Sequence, residues 1–263
     1  MTTFSEQLKA LHFRSPERVS VVLQFPSRED LPLTCDQLLC GASAHARTLA
    51  REGIQPGEVV ILILQHGEDL VYSFWGAILH GAIPSIMPFL TEKLSPERYR
   101  ADLSTLVSVA KPAAIVTYPE FEAEIRTALQ EGDSVRSVIV TDHTEPQSNI
   151  DFASLKGLQR KPEDIVLLQH SSGTTGLQKG VALSHRAVFN QLNSYGKSLA
   201  LTDGDVVVSW LPLYHDMGLI AGFLMPILAG IPLVLLSPFD WVRAPYKLLQ
   251  AVSKYRGTLT WLP

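Results

Sequence analysis

Apolar residues recur along this chain in two alternating rhythms: a 3.6-residue period that suits helices, and short unbroken runs that suit strands covered on both faces. Leu38, Leu39, Ala42, Ala46 and Leu49 share a helical spacing that stops at Gly53, and Thr34 followed by Gln37 forms a capping-box pattern ahead of them. Pro56 and Gly57 then turn the chain into Val59-Val60-Ile61-Leu62-Ile63-Leu64, which predicts a buried strand. A helix over Glu68–His80 closed by Gly81, a strand over Ile83–Met87, and a helix opened by Ser95 and Pro96 and ended ahead of Pro112 follow. Strand Ala113–Tyr118, helix Glu120–Gln130 and strand Val135–Thr141 continue the alternation.

Residues 142–151 break it with polar turn formers, so a linker or subdomain boundary is expected there. Beyond it the pattern predicts strands Ile165–Gln169 and Val181–Ser184, helix His185–Ser198, strand Asp205–Trp210, helix Met217–Leu228, strand Leu233–Leu236 and helix Pro245–Tyr255. Strands that alternate with helices imply an α/β fold with largely parallel sheets, because crossover helices cover both faces. Met217–Phe239 carries no charge and would reach ~35 Å as one helix. Pro226, Gly230 and Pro232 interrupt it, so the expectation is a core helix, a turn and a core strand rather than a membrane span. Thr258–Leu262 reads as the opening of a strand, and the expectation is that the sequence stops inside a domain.

Composition narrows the function. The chain has 263 residues, 46% of them hydrophobic, enough for a sizeable core without disulfide or metal staples. A net charge of −4 without a long run of either sign gives no electrostatic footprint for nucleic acid. Only 18% of residues are charged, which suggests that some surface is covered by another segment or partner. Cys35 and Cys40 lie near no His ligands and form no disulfide framework, and Met1–Phe13 has no apolar leader, so a reducing cytoplasm is expected. His12, His45, His66, His80 and His143 lack ligand spacing, Ser184-His185 reads as a helix cap, and Tyr72, Phe74, Trp75, Tyr246, Leu248 and Leu249 read as core.

Chemistry concentrates in two segments. Ser171-Ser172-Gly173-Thr174-Thr175-Gly176-Leu177-Gln178-Lys179-Gly180 lies between two apolar strands and combines hydroxyls, small residues and one lysine. Glycines let backbone N–H groups approach a polyphosphate, hydroxyls donate to phosphoryl oxygens or ligate magnesium, and Lys179 supplies positive charge. It is not a P-loop, because Gln178 and Gly180 stand where Gly and Ser/Thr are required around the lysine. About forty residues on, Ser209-Trp210-Leu211-Pro212-Leu213-Tyr214-His215-Asp216-Met217-Gly218-Leu219 places His215 and Asp216 just ahead of a predicted helix, where N-terminal amides favour an anion. A capping turn would use the same residues.

The first segment resembles the glycine-rich motif of the adenylate-forming superfamily, which holds acyl-CoA synthetases, fatty acyl-AMP ligases and nonribosomal-peptide adenylation domains. The second is similar to the segment in which a histidine faces the acid substrate's carboxylate, with wording closest to fatty-acid-activating members. Gln178 departs from the family's usual proline, which keeps the charge but loses a rigid residue. The resemblance extends over nearly all of residues 1–263 and implies an incomplete N-terminal portion of an AMP-binding domain. Its activity would be ATP-dependent conversion of a carboxylic acid, on this wording a fatty acid, to an acyl-adenylate. Coenzyme A or an acyl carrier protein would accept the acyl group.

On that resemblance Lys179 and His215 are the catalytic candidates. Ser171, Ser172, Gly173, Thr174, Thr175, Gly176 and Lys179 would hold ATP, and Thr174 and Thr175 would hold Mg2+. The family's later acidic residue, ribose-binding aspartate, hinge and C-terminal lysine have no counterpart in these residues, so an inactive portion of the enzyme is expected. A short noncatalytic nucleotide-binding or assembly module of the same fold is the alternative.

Overall fold

The computed structural model describes residues 2–89, 95–141, 149–171 and 179–262. In chain order its elements are α1 (Phe4–Arg14), β1 (Val19–Leu23), β2 (Leu31–Thr34), α2 (Cys35–Arg51), β3 (Val59–Ile63), α3 (Glu68–His80), β4 (Ile83–Ile86), α4 (Pro96–Ala110), β5 (Ala114–Thr117), α5 (Glu122–Ala128) and β6 (Ser137–Val140). They continue as β7 (Ile165–Ser171), β8 (Lys179–Ser184), α6 (His185–Ser198), β9 (Val207–Ser209), a π-helix (Met217–Leu224), α7 (Met225–Ala229), β10 (Leu233–Leu235), α8 (Pro238–Arg243) and α9 (Tyr246–Tyr255). Two compact units result: Met1–Leu39 with Lys161–Glu163 and Ser184–Pro263, and Cys40–Arg160 with Asp164–Leu183. The boundary expected at residues 142–151 falls mostly on 142–148, outside the described residues.

The second unit carries a parallel four-stranded sheet in the order β4-β3-β5-β6. β3 is central, and Val60–Ile63 are fully buried, as an apolar run flanked by strands and covered on both faces requires. On one face α4 and α5 place Tyr99, Leu103, Leu106, Val107 and Ile125 against Ile61, Ile63 and Ile115. α3 starts and stops where the sequence predicts, and Gly81 closes it at φ 90°, a conformation costly for any residue with a Cβ. Tyr72, Phe74 and Trp75 are buried, as expected. β7 and β8 form a separate two-stranded sheet in this unit.

The first unit carries a sheet in the order β2-β1-β10-β9, with β1, β10 and β9 parallel and β2 antiparallel to β1. Where Thr258–Leu262 reads as the opening of a strand, an isolated parallel bridge joins Val207 to Leu259 and no named strand forms among the described residues. Val22, Val208, Val234, Leu236, Leu248 and Ala251 pack together, and Trp210 stacks on Trp241 with ring centroids 3.6 Å apart. Met217–Leu235 is, as expected, core helix, turn and core strand, and no described helix is long and apolar enough to cross a membrane.

Several expectations change. The apolar rhythm assigns nothing ahead of Thr34, yet α1 is closed by a full capping box between Thr3 and Glu6, and β1 and β2 follow. The helix expected over Met217–Leu228 is a π-helix for its first eight residues. Tyr246 and Leu249 are 58% and 71% exposed rather than core, because α9 turns only Leu248 and Ala251 inward.

Candidate functional site

The glycine-rich segment is carried by the paired strands β7 and β8. Ser171 ends β7 and Lys179 opens β8, so the two ends of the segment leave neighbouring strands. Ser172, Gly173, Thr174, Thr175 and Gly176 lie outside the described residues, and with them the expected magnesium ligands. β7 is anchored by Val166 and Leu167, which are 2% and 0% exposed. A Cβ on Gly180 would lie 3.0 Å from Leu168 Cδ1, a tight approach to a flexible side-chain end, and 3.5 Å from His170 Nε2, an ordinary contact.

His215 stands in the other unit, in a turn built from the residues around it. Trp210, Leu211 and Leu213 are buried, which pins the chain where it leaves β9. The His215 N–H donates to the Pro212 carbonyl at 3.1 Å, and the His215 carbonyl accepts the Leu219 N–H at 2.9 Å. Asp216 Oδ1 accepts the Met217 N–H at 2.7 Å and caps the π-helix. The His215 side chain is exposed, while Tyr214 is half-buried with its ring centroid 4.9 Å from the imidazole; burial pushes the Tyr214 hydroxyl above the ordinary phenol range. The helix start therefore is where the sequence puts it, and the imidazole is accessible to a ligand. The cap that Asp216 forms is the role the motif would have without any ligand.

The other candidates take structural roles. Ser184 Oγ accepts the Ala187 N–H, and buried His185 accepts the Phe4 N–H on Nδ1 at 3.1 Å, so they form a cap and a tie rather than a dyad. His12 contacts Asp36 at 2.8 Å, His45 contacts Ser73 Oγ at 3.1 Å, and His80 donates from Nε2 to the Ile54 carbonyl at 2.8 Å. Both cysteines are buried and neither is in a disulfide, and burial with Asp36 nearby pushes the Cys35 thiol up to about 11. Among the described residues no group of three His, Cys, Asp or Glu side chains could hold a metal.

One polar cluster escapes the sequence pattern. Asp30, in the loop after β1, accepts hydrogen bonds on Oδ2 from Tyr255 Oη at 2.5 Å, Lys254 Nζ at 2.6 Å and Gln24 Nε2 at 3.3 Å. Asp30, Gln24, Trp241, Lys247 and Lys254 line a cavity of about 320 Å³ past the carboxyl ends of β1 and β10, the end of a parallel sheet where ligands usually bind. No local signal announces it, since its members lie up to 225 residues apart.

Comparison with known proteins now decides the family. The profile of the family described as "AMP-binding enzyme" matches residues 11–263. The chain belongs to this family of adenylate-forming ligases. It is 32% identical over 234 residues to 4-coumarate-CoA ligase 1 of Narcissus pseudonarcissus, covering 83% of this chain and 39% of that one. It is 32% identical over 236 residues to the long-chain-fatty-acid–AMP ligase FadD28 of Mycobacterium bovis, covering 85% and 38%. A crystal structure of the fatty acyl-adenylate ligase of Legionella pneumophila, in complex with acyl adenylate and pyrophosphate, superposes with a TM-score of 0.79 at 27% identity over 98% of this chain and 44% of that one. The chain thus spans about two fifths of the length of these relatives.

Proposed function

We propose that this chain forms part of an adenylation domain that activates a carboxylic acid, most suitably a fatty acid, by attack of its carboxylate on the α-phosphate of ATP, giving an acyl-adenylate and pyrophosphate. The observation that carries this reading is the pairing of β7 and β8 around a Ser/Thr/Gly segment that ends in Lys179, in a chain that also bears an accessible His215 at the mouth of a helix. The fatty acyl-AMP ligases among its relatives favour the acid class. Coenzyme A or an acyl carrier protein is the proposed acceptor, in keeping with relatives named a CoA ligase and a fatty-acid–acyl-carrier-protein ligase. The cytoplasm is the proposed location, which suits two buried cysteines that form no disulfide.

In this reading the chain works by positioning and charge neutralisation. Backbone N–H groups and hydroxyls of Ser171–Gly176 hold the phosphates, and Lys179 offsets the charge that builds on the departing pyrophosphate. His215 orients the acid carboxylate where it meets the nucleotide. The hydroxyls of Thr174 and Thr175 are oxygen donors of the kind Mg2+ takes, and the ion when bound neutralises phosphate charge.

Titration of Mg·ATP and Mg·pyrophosphate into the 263-residue chain tests the cradle, with saturable binding of both expected. Failure of either to bind at millimolar concentration would overturn the reading. Acid-dependent ATP–pyrophosphate exchange, run across carboxylic acids of graded chain length on a polypeptide as long as the relatives, then reads the substrate class.

A further inference from the structure

The imidazole of His170 lies between β4 and β8. Its Nδ1 is 2.9 Å from the hydroxyl oxygen of Ser85, which sits on β4 and is 1% exposed. Its Nε2 edge faces Gly180 on β8, where a Cβ would lie 3.5 Å from it at ordinary contact distance, and Leu168 lines the same space from β7. His170 thus belongs to β7 by its backbone and turns its ring edge toward β8, the two strands that flank residues 172–178. Ser85 in turn ties it to the four-stranded sheet. A hydroxyl buried to this degree is costly unless it is hydrogen-bonded, so the contact with His170 is a constraint rather than an ornament.

We propose that His170 is a positioning residue that, held by Ser85, sets where β7 and β8 end and so where the glycine-rich segment begins and returns. The function assigned to that segment rests on the preceding reading; the strut itself does not. Burial also holds the His170 imidazole below the ordinary histidine range, which keeps an uncharged ring against β4 at neutral pH.

Three variants and two readouts test the strut. Ser85→Ala removes the hydroxyl, His170→Phe keeps a ring but loses the hydrogen bond, and His170→Asn keeps an amide that can meet Ser85 as donor or acceptor. Hydrogen–deuterium exchange of amides 179–183 needs no ligand. Loss of one buried hydrogen bond should speed it by about fivefold in Ser85→Ala and His170→Phe, while His170→Asn stays near the wild-type rate. Mg·pyrophosphate affinity should fall in the same order. Unchanged exchange in Ser85→Ala overturns the proposal, and Ser85→Ala is mild enough to carry the test should His170→Phe not fold. Exchange in His170→Asn as fast as in His170→Phe also overturns it, because ring packing and not the hydrogen bond would then hold the strands. If exchange responds as expected while the wild-type chain binds no pyrophosphate, the strut stands and the cradle reading fails.

Discussion

A methyl group placed on Gly218 would collide with the carbonyl oxygen of Pro212. That oxygen is also the acceptor of the His215 N–H, so the first turn of the π-helix and the turn that carries His215 are pressed together at a point only glycine can occupy. The clash is with backbone, which has no rotamer to yield. Gly218→Ala should therefore cost about 1–3 kcal/mol of unfolding free energy, the range for an overpacked core site. A urea midpoint equal to wild type would show that the turn relaxes freely.

His215→Ala removes an exposed side chain, so stability should change by less than about 0.5 kcal/mol. Acid-dependent adenylation should nevertheless fall sharply, because the residue is assigned to the carboxylate. Unaltered acid affinity and rate would leave it only a turn residue ahead of the Asp216 cap.

If the proposed cradle holds pyrophosphate, Lys179→Ala should remove a charge-assisted contact of about 1.5–3 kcal/mol, which corresponds to about 10- to 150-fold weaker Mg·pyrophosphate binding. Calorimetric titration reads this directly. Equal affinity in mutant and wild type would take Lys179 out of the cradle.

Acid should destabilise the fold before any carboxylate titrates. Burial depresses the His80 pKa, outweighing the opposite pull of its hydrogen bond to the Ile54 carbonyl, and burial likewise depresses His45 against the pull of Asp69. The unfolded chain then binds more protons than the folded one below the ordinary histidine value of 6.5. The contribution is complete above that value and is lost as pH falls toward the depressed folded values. Urea unfolding at about pH 7.5 and about pH 5.5 should show the drop, and His80→Gln should lessen it. A stability that does not change between those two conditions would contradict the assignment.

Local chemistry accounts for most of what could be read ahead of the structure. α3 and α6 have the expected bounds because Gly81 and Ser184 act within one turn of the helices they delimit, and β3 was legible as an unbroken apolar run. α1 carried an equally local signal, the reciprocal hydrogen bonds of Thr3 and Glu6, but its apolar residues Phe4, Leu8 and Leu11 are too few among polar neighbours to register as a rhythm. β1 and β2 gave weaker signals still, since β1 owes its place to Leu233–Leu235, some two hundred residues away.

The two motifs and their order belong to the chain itself, because each is a set of particular residue types at close spacing, and close spacing survives in one dimension. Pairing of Asp30 with Tyr255, contact of Ser85 with His170, and exposure of Tyr246 and Leu249 belong to the fold. Each depends on which faces meet after the sheets assemble, and a hydrogen bond between residues 85 apart or 225 apart leaves no periodic trace for either partner to announce. Local propensity decided which segments became helices and strands; burial and long-range pairing decided which of their side chains could act.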